Sequence, residues 1–246
     1  MGSKRIGIDV GGSGVKGGVV DVEDGSLLSE RIRVDTPSPA TPEAVVEVIG
    51  EVVEALENGG VVGVGFPAVV RDGVVFTANN IDPKWIGVDA RTLIQERTGR
   101  EVRITNDADA AGLAEVEFGA ARGIKGSVLV ITFGTGIGSA LIVDGHIVPN
   151  LELGQIELAG IRPAERHYSA KARRNEDLDW DDWGDRAGEY MSYVDSIFNP
   201  ELIVLGGGVA KKFELFSGRL DPRLPVVPAH LLNDAGIVGA ALLTRD

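Results

Sequence analysis

Two periodicities alternate along the chain. Short apolar runs give way to longer stretches whose apolar positions lie three and four residues apart, the marks of strand and helix. Residues Lys4–Asp9 and Gly17–Val22 read as two strands joined by a tight segment, VGGSGVK. A helix opens at Thr41-Pro42-Glu43, with Thr41 as N-cap and proline at the first helical position. Its expected course runs to about Glu57 and stops at Gly59-Gly60. The run 61–66, VVGVGF, is continuously apolar, as in a strand buried on both faces of a sheet. Asp89 caps a second helix that ends before Gly99, and EVRIT (101–105) follows as a strand. An Ala-rich helix over Asp107–Phe118 comes next, then strands over 127–132 and 138–143 around FGTGI, and a further apolar strand, LIVL, over 202–205. Trp180, Trp183, Ala187, Tyr190, Val194 and Ile197 follow a helical step and mark an amphipathic helix.

Strands alternating with helices predict an α/β protein. A strand, a turn of glycine with a hydroxyl residue, and a second strand occur twice, about 120 residues apart. That repetition predicts two related lobes facing a cleft.

Glycine supplies 34 of the 246 residues, roughly twice its usual share, and clusters where a backbone turns tightly or approaches a ligand. The net charge of −13 argues against a general nucleic-acid binder. A polyanionic substrate would need a local basic patch to override it. No apolar stretch is long enough to span a membrane, and the start, MGSKRIGIDVGG, enters a strand-like run and not a signal peptide. With no cysteine, disulfides and thiolate zinc sites are excluded, in keeping with a cytoplasmic protein. The charge is also uneven. Arg162, Arg166, Lys171, Arg173 and Arg174 are opposed only by Glu165. Then Glu176, Asp177, Asp179, Asp181, Asp182, Asp185 and Glu189 crowd together with a single Arg186. The acids suit the start of a helix, and a solvated helix face accounts for them.

Candidate chemistry sits in the turns. Asp9-Val10-Gly11-Gly12-Ser13-Gly14-Val15-Lys16 joins two strands, so it is neither a Walker loop nor a dinucleotide fingerprint. Backbone N–H groups, a hydroxyl, a lysine and an aspartate placed for hydrated Mg²⁺ nevertheless suit phosphate; a plain Gly-rich hairpin is the alternative. Gly134-Thr135-Gly136 forms a second such turn, and Gly206-Gly207-Gly208 ends the LIVL strand, where ligands of open α/β sheets bind. Asn106-Asp107-Ala108-Asp109 lies between EVRIT and the Ala-rich helix, where Asp107 could simply be an N-cap. Glu152-Leu153-Gly154-Gln155-Ile156-Glu157 offers two carboxylates and an amide suited to vicinal hydroxyls, although a surface loop would look much the same. Lys211 and Lys212, past the triple glycine, read either as a cationic track or as solvated helix-end lysines.

In order along the chain, GIDVGGSGVKGG, TANNIDPKWIG, NDADAAGLAE, TFGTGIGSALIVDG and NDAGIVGAALL together resemble the ROK family of sugar kinases (repressor, open reading frame, kinase). More narrowly, they resemble the family's polyphosphate-using glucokinases. The resemblance covers nearly the whole chain. It implies a two-lobed actin-like (ribonuclease H-like) ATPase fold with a cleft between lobes: a smaller lobe of 1–107 plus 233–246 and a larger one of 108–232. It further implies transfer of phosphate from polyphosphate, and from ATP, to the 6-hydroxyl of glucose by a cytoplasmic homodimer using Mg²⁺. Asp107 would be the catalytic base, and Asn80, Asn106, Glu152, Gln155 and Glu157 would bind the sugar. Gly11, Gly12, Ser13 and Lys16 would form the first phosphate loop and Gly134, Thr135 and Gly136 the second. Gly207 and Gly208 would approach the donor, with Lys211 and Lys212 as its outlying cations, and Asp9 would help organise Mg²⁺.

One departure stands out: the family pattern E-x-G-H is here E-L-G-Q, with Gln155 in the histidine's place. Glutamine still donates and accepts hydrogen bonds, so sugar binding is expected to persist with altered affinity or epimer preference. Two alternatives follow, a strictly ATP-dependent kinase and a non-catalytic sugar sensor. A sugar-responsive repressor would carry a helix-turn-helix ahead of the first turn, where only eight residues precede Asp9.

Overall fold

The computed structural model describes residues 3–56, 60–221 and 223–245; the expected helix stop at Glu57 and Gly59 lies outside them. The chain divides into two units, 1–114 with 234–246, and 115–233.

In the first unit β1 (Lys4–Gly11) and β2 (Gly14–Asp21) pair antiparallel from Lys4–Asp21 up to Gly11–Gly14. The ladder therefore runs further than the sequence suggests and leaves only Gly12 and Ser13 in the turn. Gly11 and Lys16 are strand residues. A short β3 (Ile32–Val34) extends the sheet beside β2. Helix α1 (Pro42–Ala55) starts where Thr41 accepts the Ala44 N–H, and it buries Val45, Val46, Ile49, Val52 and Val53. The apolar β4 (Val62–Phe66) is buried throughout and parallel to β1. After a small hairpin of β5 (Val70–Arg71) and β6 (Val74–Val75), α2 (Ala90–Thr98) runs from its Asp89 cap to Gly99, which adopts the left-handed conformation. Then β7 (Val102–Asn106) pairs with β4 and leads directly into α3 (Asp107–Glu117). The strand order is β3-β2-β1-β4-β7.

The C-terminal helix, Ala235–Leu242, returns to this sheet. Gly7 and Gly63 face each other across β1 and β4, and a Cβ on either would collide with the carbonyl of Ile237 or Ala240. A Cβ on Gly239 would likewise strike the Ala110 carbonyl of α3. Part of the glycine excess thus serves backbone-to-backbone packing of helices and sheet.

The second unit holds β8 (Ser127–Phe133), β9 (Ile137–Val143), β10 (His146–Val148), α4 (Glu165–Tyr168), α5 (Ala170–Asn175), α6 (Trp180–Phe198), β11 (Leu202–Gly206) and β12 (Val226–Pro228). Its strand order, β10-β9-β8-β11-β12, reproduces the first sheet, with two antiparallel pairs and then two parallel ones. Trp183, Ala187, Tyr190 and Val194 of α6 are buried, with Trp183 and Tyr190 edge-on to Phe133 at 5.3 and 5.8 Å. Ile197, expected on the same apolar face, is 55% exposed. It lies in the last turn of α6, two residues before the Asn199 cap.

Candidate functional site

In the first unit the register sets Asp9, Lys16 and Arg33 in one row across β1, β2 and β3. Lys16 Nζ donates to Asp9 Oδ2 at 2.8 Å, with both side chains mostly buried, so the carboxylate fixes the position of the ammonium. The Gly12-Ser13 turn is held from outside. Arg33 donates to the Ser13 carbonyl at 2.9 Å and pairs with Asp35 at 2.6 Å, while the Thr36 hydroxyl donates to the Gly11 carbonyl at 2.6 Å. Neither Arg33 nor Thr36 stands out in the sequence, although Arg31, Arg33 and Asp35 alternate as solvent-facing strand positions do.

Along the sheet, Asp9 faces Gly65 and Gly65 faces Thr105. A Cβ on Gly65 would lie 3.4 Å from the Asp107 Cα, and one on Gly236 would press on the Asp9 carboxylate. Glycine therefore brings the backbone close to both acids. At the head of α3 the cap is Asn106 and not Asp107. The Asn106 Oδ1 accepts the N–H groups of Ala108 and Asp109 at 2.8 and 3.1 Å, and its amide donates to the Ala68 carbonyl at 3.1 Å. Asp107, half-buried, is the first helical residue and accepts the Ala108 N–H at 2.9 Å. Asn80 is exposed; it lies shortly before Trp85, which is fully buried and donates to the Ala40 carbonyl at 3.0 Å.

Among the described residues no three His, Asp or Glu side chains converge on a possible metal position. Asp9 is a single carboxylate already bonded to Lys16. That donor set suits a Mg²⁺ brought in on phosphate oxygens and hydrated, with one protein carboxylate in attendance.

In the second unit the pairing of β8 and β9 ends at Phe133–Ile137 and leaves Gly134, Thr135 and Gly136 in the turn. The Gly134 N–H donates to the Gly136 carbonyl at 2.9 Å. Gly207, at φ +79°, packs against the Phe133 backbone so closely that a Cβ would collide, while Gly208 has open space. The structure thus brings the second turn and the triple glycine together. Lys211 and Lys212 are exposed on a 3₁₀ turn over Ala210–Leu215.

The 152–157 loop is tied to β9. The buried Ser139 hydroxyl donates to the Leu151 carbonyl at 2.7 Å and accepts the Leu153 N–H at 3.0 Å. A Cβ on Gly154 would strike the Ile137 carbonyl. Glu152 and Gln155 are half-buried and Glu157 is exposed. Sequence reasoning missed Ser139 and Glu165, whose carboxylate accepts the Ile137 N–H at 3.1 Å. Isolated polar residues that serve the backbone carry no spacing signal. Nearby, burial and the charge of Glu189 push the Tyr168 hydroxyl up to about 12, so it stays a neutral donor to Glu189 at 3.2 Å.

Comparison with known proteins gives a consistent result. The sequence profile of the ROK family matches residues 5–152. A polyphosphate glucokinase of Mycobacterium tuberculosis (strain CDC 1551 / Oshkosh) is 47% identical over 238 residues, covering 96% of this chain and 89% of that one. The crystal structure of an inorganic polyphosphate/ATP-glucomannokinase from Arthrobacter sp. strain KM superposes with a TM-score of 0.95 at 50% identity, covering 98% of this chain and 97% of that one. A ROK family glucokinase from Streptomyces griseus, in complex with glucose and AMPPNP, gives a TM-score of 0.86 at 27% identity, with 98% and 99% covered.

Proposed function

The chain belongs to the ROK family and is a kinase, and we propose that it makes glucose 6-phosphate from glucose, with inorganic polyphosphate or ATP as the donor and Asp107 as the general base. Phosphoryl transfer asks a protein chiefly to position the reactants and neutralise charge. Asp107 accepts the proton of the sugar 6-hydroxyl as that oxygen attacks the terminal phosphorus, and the shortened donor leaves with the bridging oxygen. Asn80, Asn106, Glu152, Gln155 and Glu157 orient the sugar. Backbone N–H groups of Gly11, Gly12 and Ser13, and those of Gly134, Thr135, Gly136, Gly207 and Gly208, are the groups that hold donor phosphates, with Lys16, Lys211 and Lys212 as the cations. Mg²⁺ bound to the donor, attended by Asp9, supplies charge neutralisation.

Asn106 carries this reading. Because it caps α3, the cap does not require an acid at Asp107, and proton transfer gives that carboxylate a role beyond the Ala108 N–H it accepts. The same reading places the enzyme in the cytoplasm as a homodimer. The exposed Tyr193 and Ile197 of α6 are candidates for the contact.

The test is a matrix of donors and sugars with purified protein, reading glucose 6-phosphate through a coupled assay. Turnover of glucose with both donors is expected. Product with neither donor overturns the kinase reading and leaves a sugar sensor, and product with ATP alone reduces it to an ATP-dependent glucokinase.

A further inference from the structure

The basic segment 162–174 has no part in the chemistry above, yet it is laced to the second phosphate turn. The Lys171 N–H donates to the Gly134 carbonyl at 3.0 Å. Glu165 holds the Ile137 N–H just beyond the turn, and the Ala164 N–H donates to the Ile156 carbonyl of the sugar loop at 2.9 Å. The only acid within the segment thus serves a backbone N–H and, among the described residues, forms no ion pair with the cations around it. Other cations of the chain, Lys16, Arg31, Arg33, Arg97, Arg186 and Arg219 among them, each pair with a carboxylate. Arg162, Arg166, Lys171 and Arg174 are exposed, and among the described residues none of them pairs with an acid. In a chain of 37 acids and 24 bases, a run of unmatched cations beside a phosphate turn calls for an anionic ligand.

Its chemistry can be narrowed. Lys171 and Arg174, three residues apart, share the outer face of α5, while Ala170 and Ala172 are buried. The Tyr and Trp rings nearby are not available as stacking platforms. Tyr168 and Trp183 are buried, and Arg173 lies over Trp180 at 3.8 Å from the ring centroid. Single-stranded nucleic acid pairs a basic groove with open aromatic faces, and here only the charge is offered. A linear polyanion without bases fits.

We propose that Lys171 and Arg174, with Arg166 on α4, hold the stretch of a long inorganic polyphosphate that runs on past the Gly134–Gly136 turn. This rests on the donor reading above and says where the rest of that donor lies. ATP, with three phosphates, ends before the track; a long chain continues along it.

The experiment compares short-chain polyphosphate, long-chain polyphosphate and ATP as donors for wild type and for Lys171→Ala with Arg174→Ala. Thermal midpoints are measured alongside. The ratio of kcat/KM for long chains to that for ATP is expected to fall about tenfold, the scale of removing two exposed cations from a bound polyanion. The advantage of long over short chains should shrink, and the salt dependence with long chains should become shallower. Exchanging the two cations, Lys171→Arg with Arg174→Lys, should keep most of the wild-type ratio. Should the double alanine variant be unstable, Lys171→Gln alone should show part of the same shift. Parallel losses with ATP and polyphosphate, or an unchanged chain-length dependence, overturn the track while the kinase stands. A wild type that uses ATP but no polyphosphate overturns the donor reading, and the track falls with it.

Discussion

Two neighbours at the head of α3 divide the work: Asn106 satisfies the first helical N–H groups and Asp107 presents a carboxylate one residue later. Asp107→Asn therefore keeps the cap and loses only a favourable charge at a helix N-terminus, worth about 1 kcal/mol or less. Its turnover should drop at least about 10²-fold, the scale of a lost general base. Steady-state kinetics beside a thermal melt check both parts, and wild-type turnover would remove Asp107 from the chemistry. Gln155 poses a different question. The loop that carries it is fixed by Ser139 and by the packing of Gly154 on β9, so Gln155→His should leave the backbone in place and change only the reach and angle of the hydrogen bonds. The KM for glucose should move more than stability does. Unchanged KM for both glucose and mannose would place Gln155 outside the sugar site. The sequence left cap and base open for Asp107, because both roles want an acid at a strand-to-helix junction; the distances give the cap to Asn106, and the kinetics of Asp107→Asn decide the base.

At the scale of elements, packing that periodicity does not reveal decides stability. Gly63 on β4 lies under the C-terminal helix, and the atom a Cβ would meet is a backbone carbonyl that cannot rotate away. Gly63→Ala is expected to cost about 3 kcal/mol, the upper range for overpacking. Gly218→Ala, with open space around it, should change stability by less than about 0.5 kcal/mol. Urea unfolding of the pair tests the contrast, and similar midpoints would mean the helix can shift. Glu115, almost fully buried, accepts the N–H groups of Ala120, His230 and Leu231. Glu115→Ala removes the acceptor of three partly buried N–H groups and should cost about 2 kcal/mol; a loss under about 1 kcal/mol would show that the backbone finds other partners. β1, β4, β8 and α6 were legible because unbroken apolar runs or helical steps declare themselves. β3, β10 and β12 span three residues each, too few to show a period. The C-terminal helix is missed for another reason: buried nearly all round, it has no polar face to give it an amphipathic pattern.

At the scale of the whole molecule, two sheets share one strand order, and each carries its glycine turn between its first two strands. The doubled turn was visible in the sequence, while the matching order of the remaining strands was not, since pairing between distant segments leaves no local trace. The charge balance completes the argument. A chain at −13 repels a long polyanion at a distance, but at physiological ionic strength that repulsion is screened beyond about 8 Å. What remains is contact with nearby cations, and further salt weakens contact in proportion to the number of phosphates held. Raising ionic strength above the physiological value should therefore raise the KM for long-chain polyphosphate more steeply than the KM for ATP. Lys211→Ala with Lys212→Ala, on the exposed turn beyond Gly208, should weaken long chains more than ATP and flatten that salt response. Equal salt slopes for the two donors in the wild type would mean that the cations past the turns never touch the chain, and that the glycine turns alone hold either donor.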